Sequence, residues 1–225
     1  MRPYYIFCRF LCQWLSILVV EMRVFDHGRV PRTGGVILAC NHQSFFDPVL
    51  ATLALPRECS HMARDTLFQN RWFRKLIESL NAFPIRRGEA DLSAIKEALR
   101  RLRNGHALSM FPEGTRTKDG HIQPLMPGMG SIAKKAKVPV FPVLIEGAYD
   151  AWPRDRKLPC RSQVTVCYGE PITPEQMTTM TAEQILEVIA TRLRALQDQE
   201  RRRRGLEPLE YSDSPGMFAP VLAAP

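Results

Sequence analysis

The chain has 225 residues, enough for one sizeable α/β domain, and its 45% hydrophobic and 24% charged composition excludes wholesale disorder and a polytopic membrane protein. Lysine and arginine outnumber aspartate and glutamate 31 to 23, a net charge of +8. Such an excess suits nucleic acid, an anionic membrane surface or phosphorylated substrates, and does not choose among them.

The first twenty residues read "MRPYYIFCRFLCQWLSILVV". No A-x-A-like cleavage site follows, which argues against a signal peptide. Arg2, Arg9, Gln13 and Ser16 share one helical face, and Phe7, Leu11, Trp14, Leu15 and Leu18 crowd the other. Arg9 falls too near the middle for a transmembrane span, which needs about 20 apolar residues. The pattern predicts an amphipathic helix over 1–18, lying in a membrane interface. The plainer alternative is that its apolar face packs on the protein's own core. The six cysteines form no C-x-x-C pair and show no zinc-type spacing. They read as small buried hydrophobes in a reducing compartment, which together with the helix predicts residence on the cytoplasmic face of a membrane.

"VVEMRVF" reads as a strand, "PRTGG" as a turn, and "VILAC" (36–40) as a short, continuously apolar strand. "PVLATLAL" opens a helix, with Asp47 placed to cap it and Pro48 at its first position. "ECSHMA" is a short strand, "TLFQNRWFRKLIESLN" a helix and "AFPI" another strand. Leu92, Ile95, Leu99 and Leu102 recur at helical spacing, so 89–103 is an amphipathic helix ended near Gly105. "HALSMF" is a strand, and "PEGTRTKDGHIQPLMPG" a long loop. "MGSIAKKAK" is a helix, and "SQVTVCYG" an alternating strand. "VPVFPV" (138–143) is an apolar strand whose two prolines suggest a sheet edge or a bulge. The last helix opens on a capping box, Thr181 to Gln184. It ends in "RRRR" (201–204), which suits either a solvated helix end or an anionic lipid surface. Alternating strands and helices predict an α/β fold, a mainly parallel central sheet flanked by helices, over 19–204. Residues 205–225 are proline-rich and without period, and read as a disordered tail.

Three stretches carry chemistry. In "NHQSFFD" (41–47), His42 and Asp47 are five residues apart just after a strand. If the intervening residues loop back, the carboxylate fixes the imidazole tautomer and raises its basicity. Alternatively Asp47 only caps the next helix and His42 is a plain loop residue. A metal site would need a further ligand, and His61 falls on a separate strand. In "FPEGTRT" (111–117), Pro112 and Gly114 suit a type I turn, which leaves Glu113 and Arg116 unexplained at a strand end. Arginine binds phosphate through a bidentate fork, and a carboxylate can orient it. Arg86 and Arg87 in "PIRRG" stand where a helix opens, an arrangement suited to anions.

The order "NHQSFFD", "FPIRRG", "FPEGTRT", "VPVFPV" resembles the glycerolipid acyltransferase family, over roughly residues 20–172. Within it, the chain looks most like the 1-acylglycerol-3-phosphate O-acyltransferases. The resemblance implies transfer of an acyl group from acyl-CoA or acyl carrier protein to the hydroxyl of a lysophospholipid. His42 would be the general base and Asp47 its partner. Arg87, Glu113, Gly114, Thr115 and Arg116 would bind substrate. Neither a cofactor nor a metal is implied. Where many members carry a basic residue before the glycine after the third motif, this chain has Met126-Pro127 before Gly128. That leaves other lysophospholipid or aminolipid acceptors open. Nucleic acid as a partner has only the net charge behind it, since aromatics are not interleaved with the basic residues.

Overall fold

In the computed structural model, which describes residues 1–86 and 91–211, the apolar run Val36–Cys40 forms strand β2 near the middle of a seven-stranded sheet. Its residues divide by alternation. Ile37 and Ala39 enter one core cluster, while Val36, Leu38 and Cys40 enter the other. A strand buried on both faces has no polar side to display, which is why the run is continuously apolar.

The remaining strands are β1 (Val20–Phe25), β3 (Cys59–Arg64), β4 (Ala82–Ile85), β5 (Ala107–Met110), β6 (Val140–Glu146) and β7 (Ser162–Tyr168). Their order is β1-β7-β6-β2-β5-β3-β4. Every neighbouring pair is parallel except β6 and β7. One face is covered by α4 (Leu92–Arg103), α5 (Pro127–Ala136) and α8 (Ala182–Arg203). The other carries α2 (Asp47–Leu53) and the short α6 (Ala148–Ala151). The expected α/β architecture is present, and β2, β3, β4 and β5 all point their C-terminal ends to one rim of the sheet.

Several expectations need correction. The helix expected over 66–81 is two elements, a 3₁₀ turn Asp65–Phe68 and α3 (Arg71–Ser79). Asn70 makes the break, because its side chain accepts from the amides of Trp72 and Phe73 and so starts a new helix. The helix expected from residue 89 has Asp91 as its N-cap, with the carboxylate accepting from Ala94 N. It also accepts from Arg86 N, so this helix start is already held by an acid of the chain. Strand β6 is interior, not an edge. Pro142 is tolerated where its ladder is broken: between Val143↔Tyr168 and Val140↔Ile172, three steps along β6 face four along the other chain. The missing N–H falls in that bulge. Helix α7 (Pro174–Thr178), with its own Thr173–Gln176 capping box, was not anticipated.

The first helix, α1, runs Pro3–Val19. Its polar side faces the protein: Arg9 Nη1 donates to Leu55 O at 2.6 Å, and Tyr5 OH accepts from Cys59 N. Phe7 is 63% exposed and Trp14 59%. Phe7 and Trp14 of the expected apolar face therefore do not pack on the protein's own core. Among the described residues, no helix is long and apolar enough to cross a membrane.

At the other end, α8 closes as a solvated helix end should. Gly205 takes φ +70°, and Leu206 N returns to Arg201 O at 2.8 Å. Arg201, Arg202 and Arg203 pair with Glu146, Asp198 and Glu200. The expected tail beginning at 205 starts too early, because the chain through Tyr211 lies back on the molecule. The rest of it, 212–225, is outside the described residues.

Candidate active site

The residues singled out in the sequence gather at that common rim. Asn41 follows β2 and clamps it to β6: its amide donates to Ile145 O at 2.8 Å and accepts from Ile145 N at 2.7 Å. The chain then turns sharply. His42 Nδ1 lies 2.7 Å from Asp47 Oδ2, and that oxygen also accepts from Gln43 N and Ser44 N at 2.5 and 2.6 Å. Asp47 is therefore not the cap of α2. Phe46 holds the cap position, Asp47 is the first helical residue, and its carboxylate turns back into the loop. A carboxylate with no solvent exposure needs such donors, since a buried charge without them is strongly unfavourable. The arrangement fixes the proton on Nδ1 and leaves Nε2 as the basic nitrogen.

Glu113 holds the second stretch against the first. One oxygen accepts from His42 N at 2.8 Å and the other from Gln123 N at 3.0 Å. Thr117 N donates to His42 O at 2.8 Å. Burial pushes the Glu113 carboxyl up to about 8, against the two backbone amides that favour its ionised form, and nearby Asp47 pushes it the same way as burial. Glu113 is thus a strut between the two motifs, buried away from the cavity. Gly114 closes the turn, donating to Phe111 O at 3.0 Å with φ +67°. A Cβ there would stand 2.3 Å from Met126 Sδ, the end of a flexible side chain that can move aside, so it is the positive φ that calls for glycine. Met126, which with Pro127 precedes Gly128, thus packs on the motif's own glycine.

Arg116 stacks on Phe45, its guanidinium carbon 3.4 Å from the ring centroid. Its Nη1 is buried and has no hydrogen-bond partner among the described residues. Partial burial, and then the charge of Arg154, pull its pKa down from the usual arginine value. A guanidinium in this condition favours an anion beside it. Thr115 is exposed. Arg87 lies outside the described residues, so its expected role has no geometry here.

A cavity of about 380 Å³ opens beside His42. Its walls are apolar: Phe111, Leu53, Met62, Ile77 and Leu80 among them. Phe111 also lies against the imidazole, ring centroids 4.3 Å apart. Arg64, which closes β3, lines the same cavity and was missed; its signal was a basic residue ending a strand. Ser44 is no rival nucleophile, being fully buried with its hydroxyl donated to Trp152 O at 2.9 Å. Among the described residues, no three His, Cys, Asp or Glu side chains are grouped to hold a metal ion.

Behind the loops lies a polar network that sequence reasoning did not find. Gln43 Nε2 and Gln197 Nε2 both donate to Gly120 O and to Glu146 Oε2. Arg201 completes the Glu146 carboxylate at 2.9 Å. Tyr211 OH donates to Gln197 Oε1 and accepts from Ile122 N at 3.0 Å. The residue beside His42 is thus tied through Glu146 to α8, and the 117–123 loop to the C-terminal segment.

The chain is 29% identical over 169 residues to a 1-acyl-sn-glycerol-3-phosphate acyltransferase of Bacillus subtilis, covering 75% of this chain and 82% of that protein. It is 35% identical over 159 residues to the enzyme of that name from Streptococcus pneumoniae, covering 70% of this chain and 57% of the relative. The crystal structure of the 1-acyl-sn-glycerophosphate (LPA) acyltransferase PlsC from Thermotoga maritima superposes with a TM-score of 0.72 at 25% identity, over 85% of this chain and 79% of that one. Residues 22–146, which hold both motifs and the strands that carry them, match the family described as Acyltransferase, and the chain belongs to that family.

Proposed function

We propose that the protein transfers a fatty acyl group from a thioester, acyl-CoA or acyl carrier protein, to the free hydroxyl of 1-acylglycerol-3-phosphate, giving phosphatidic acid. The observation that carries this reading is the His42–Asp47 pair, held at 2.7 Å beside an apolar cavity lined by Phe45, the ring on which Arg116 stacks. The names of the relatives support the same acceptor.

In this reading, His42 Nε2 takes the proton of the acceptor hydroxyl as its oxygen attacks the thioester carbonyl. The tetrahedral intermediate collapses, the C–S bond breaks, and the departing thiolate takes the proton back from the imidazolium. The acceptor supplies the nucleophilic oxygen, so no acyl-enzyme forms. Arg116, with Arg87, holds the acceptor's phosphate. Glu113, Gly114 and Thr115 shape the turn that presents Arg116.

A second reading, another lysophospholipid or an aminolipid as acceptor, is favoured by one observation: Met126-Pro127 stands where a basic residue is usual, and Met126 packs on Gly114. The exposed apolar face of α1 supports residence on a membrane, and the six free cysteines support its cytoplasmic face. The test is a panel assay with the purified protein, both thioester carriers and a set of lysolipids, read by mass spectrometry. Phosphatidic acid as the main product supports the proposal. Free fatty acid alone, or acylation of every lysolipid except the phosphate monoester, overturns it.

A further inference from the structure

We infer that α3 is a second membrane-docking element, which seats the mouth of the cavity on an anionic phospholipid bilayer alongside α1. Three observations carry this. First, none of the nine residues of α3 is buried, and Trp72 is 69% exposed beside half-exposed Phe73 and Leu76. An isolated helix this short is unstable in water, and one that leaves its tryptophan and phenylalanine outward lacks a partner. Second, its cations suit an anionic surface. Arg71 and Lys75 flank the Trp72 ring, 5.1 and 5.6 Å from its centroid, and Arg74 lies 3.7 Å from Glu78. Tryptophan framed by basic residues is the composition that settles at a lipid–water boundary.

Third, the face is continuous with the cavity and with α1. Phe73 and Leu67 both line the cavity and reach solvent, as do Phe45 and Val49. The mouth therefore opens between exposed apolar side chains. Arg2, at the start of α1, donates to Ser79 O at 3.0 Å and to Asn81 Oδ1 at 2.7 Å, so the first turn of α1 is fastened to the end of α3. Phe7, Phe10, Trp14 and Ile17 continue the apolar surface along α1. A bilayer seated on both helices would let a lipid tail pass into the cavity without crossing water. That last role rests on the proposed acyl transfer, whereas the docking itself does not.

The first arm of the test leaves α3 intact. The chain has three tryptophans, so Trp14→Phe with Trp152→Phe makes Trp72 the sole reporter. With vesicles of equal phosphatidylglycerol and phosphatidylcholine, its emission should shift to the blue and be quenched by lipids brominated on their acyl chains. In the otherwise native protein, Arg71→Glu with Lys75→Glu should weaken flotation on those vesicles at least tenfold, at about fivefold for each cation removed, and have little effect on pure phosphatidylcholine. Flotation without a shift or bromolipid quenching of Trp72 would overturn the inference and leave α1 as the membrane element. So would a lipid-independent blue shift that follows dimerisation in the ultracentrifuge. Neither readout depends on catalysis, so acyl transfer and docking can fail separately.

Discussion

Asp47 Oδ2 lies 2.7 Å from His42 Nδ1 and accepts two backbone amides as well, so one buried oxygen sets both the loop and the imidazole tautomer. Asp47→Asn keeps the size but gives up the charge that steadies an imidazolium. Transfer should fall by about 10²–10⁴ in kcat, with the donor KM little changed. Steady-state kinetics on folded protein decides this. A variant within a factor of a few of wild type would detach the carboxylate from the chemistry.

Arg116 has a buried Nη1 with no partner among the described residues and an aromatic platform in Phe45. Arg116→Ala should raise the acceptor KM by about 10–100-fold, the equivalent of a charge-assisted hydrogen bond of about 1.5–3 kcal/mol. Arg116→Lys should recover only part of this, because lysine lacks the planar fork and stacks poorly. The donor KM should stay where it is. An unchanged acceptor KM in Arg116→Ala would remove Arg116 from the phosphate site.

Much of this site was legible in advance, and what escaped has a common cause. The apolar run Val36–Cys40 can only be a strand buried on both faces, and it places His42 at the rim. Asp47 was ambiguous because "DP" before an apolar run looks the same whether the carboxylate caps forward or turns back. The three donors that decide the matter are set by a turn that no periodicity encodes. Asn70 hid a helix break in the same way, since its cap only matters once the chain bends there. Pro142 pointed to an edge or a bulge, and only the neighbouring chain, invisible from the strand itself, decides for the bulge. Gln43, Glu146, Gln197 and Tyr211 are ordinary residues far apart in the chain, and only the packing of α8 under the loops joins them.

Glu113 sets a pH signature. Its carboxyl titrates at about 8 in the fold, above the ordinary carboxylate value of about 4.5. Between those values the folded state holds a proton that the unfolded state has lost. Stability should therefore decline as pH rises through that window, and level off above it. Glu113→Gln cannot ionise. Measured by thermal unfolding from pH 4.5 to 9, the difference in Tm between wild type and variant should move against wild type up to about pH 8. A flat difference, or one moving the other way, would show that burial does not hold the proton.

The C-terminal segment should act as a clasp. Tyr211→Phe removes the acceptor for Ile122 N–H and the donor to Gln197. A net loss of about 0.5–1.5 kcal/mol lowers Tm by only a few degrees. Exchange of the Ile122 amide should quicken markedly, while amides of β2 stay protected. Equal exchange in both proteins would mean that the clasp is not closed in solution.

The central claim is that His42 acts as the base for an incoming lipid hydroxyl. The most direct measurement is transfer of a labelled acyl group from a thioester to 1-acylglycerol-3-phosphate, comparing wild type with a folded His42→Ala variant of matched Tm. The account predicts phosphatidic acid from wild type, at least a hundredfold less from the variant, and no labelled protein when donor is given alone. Near-wild-type product from His42→Ala, or a stable acyl-protein adduct, would contradict it.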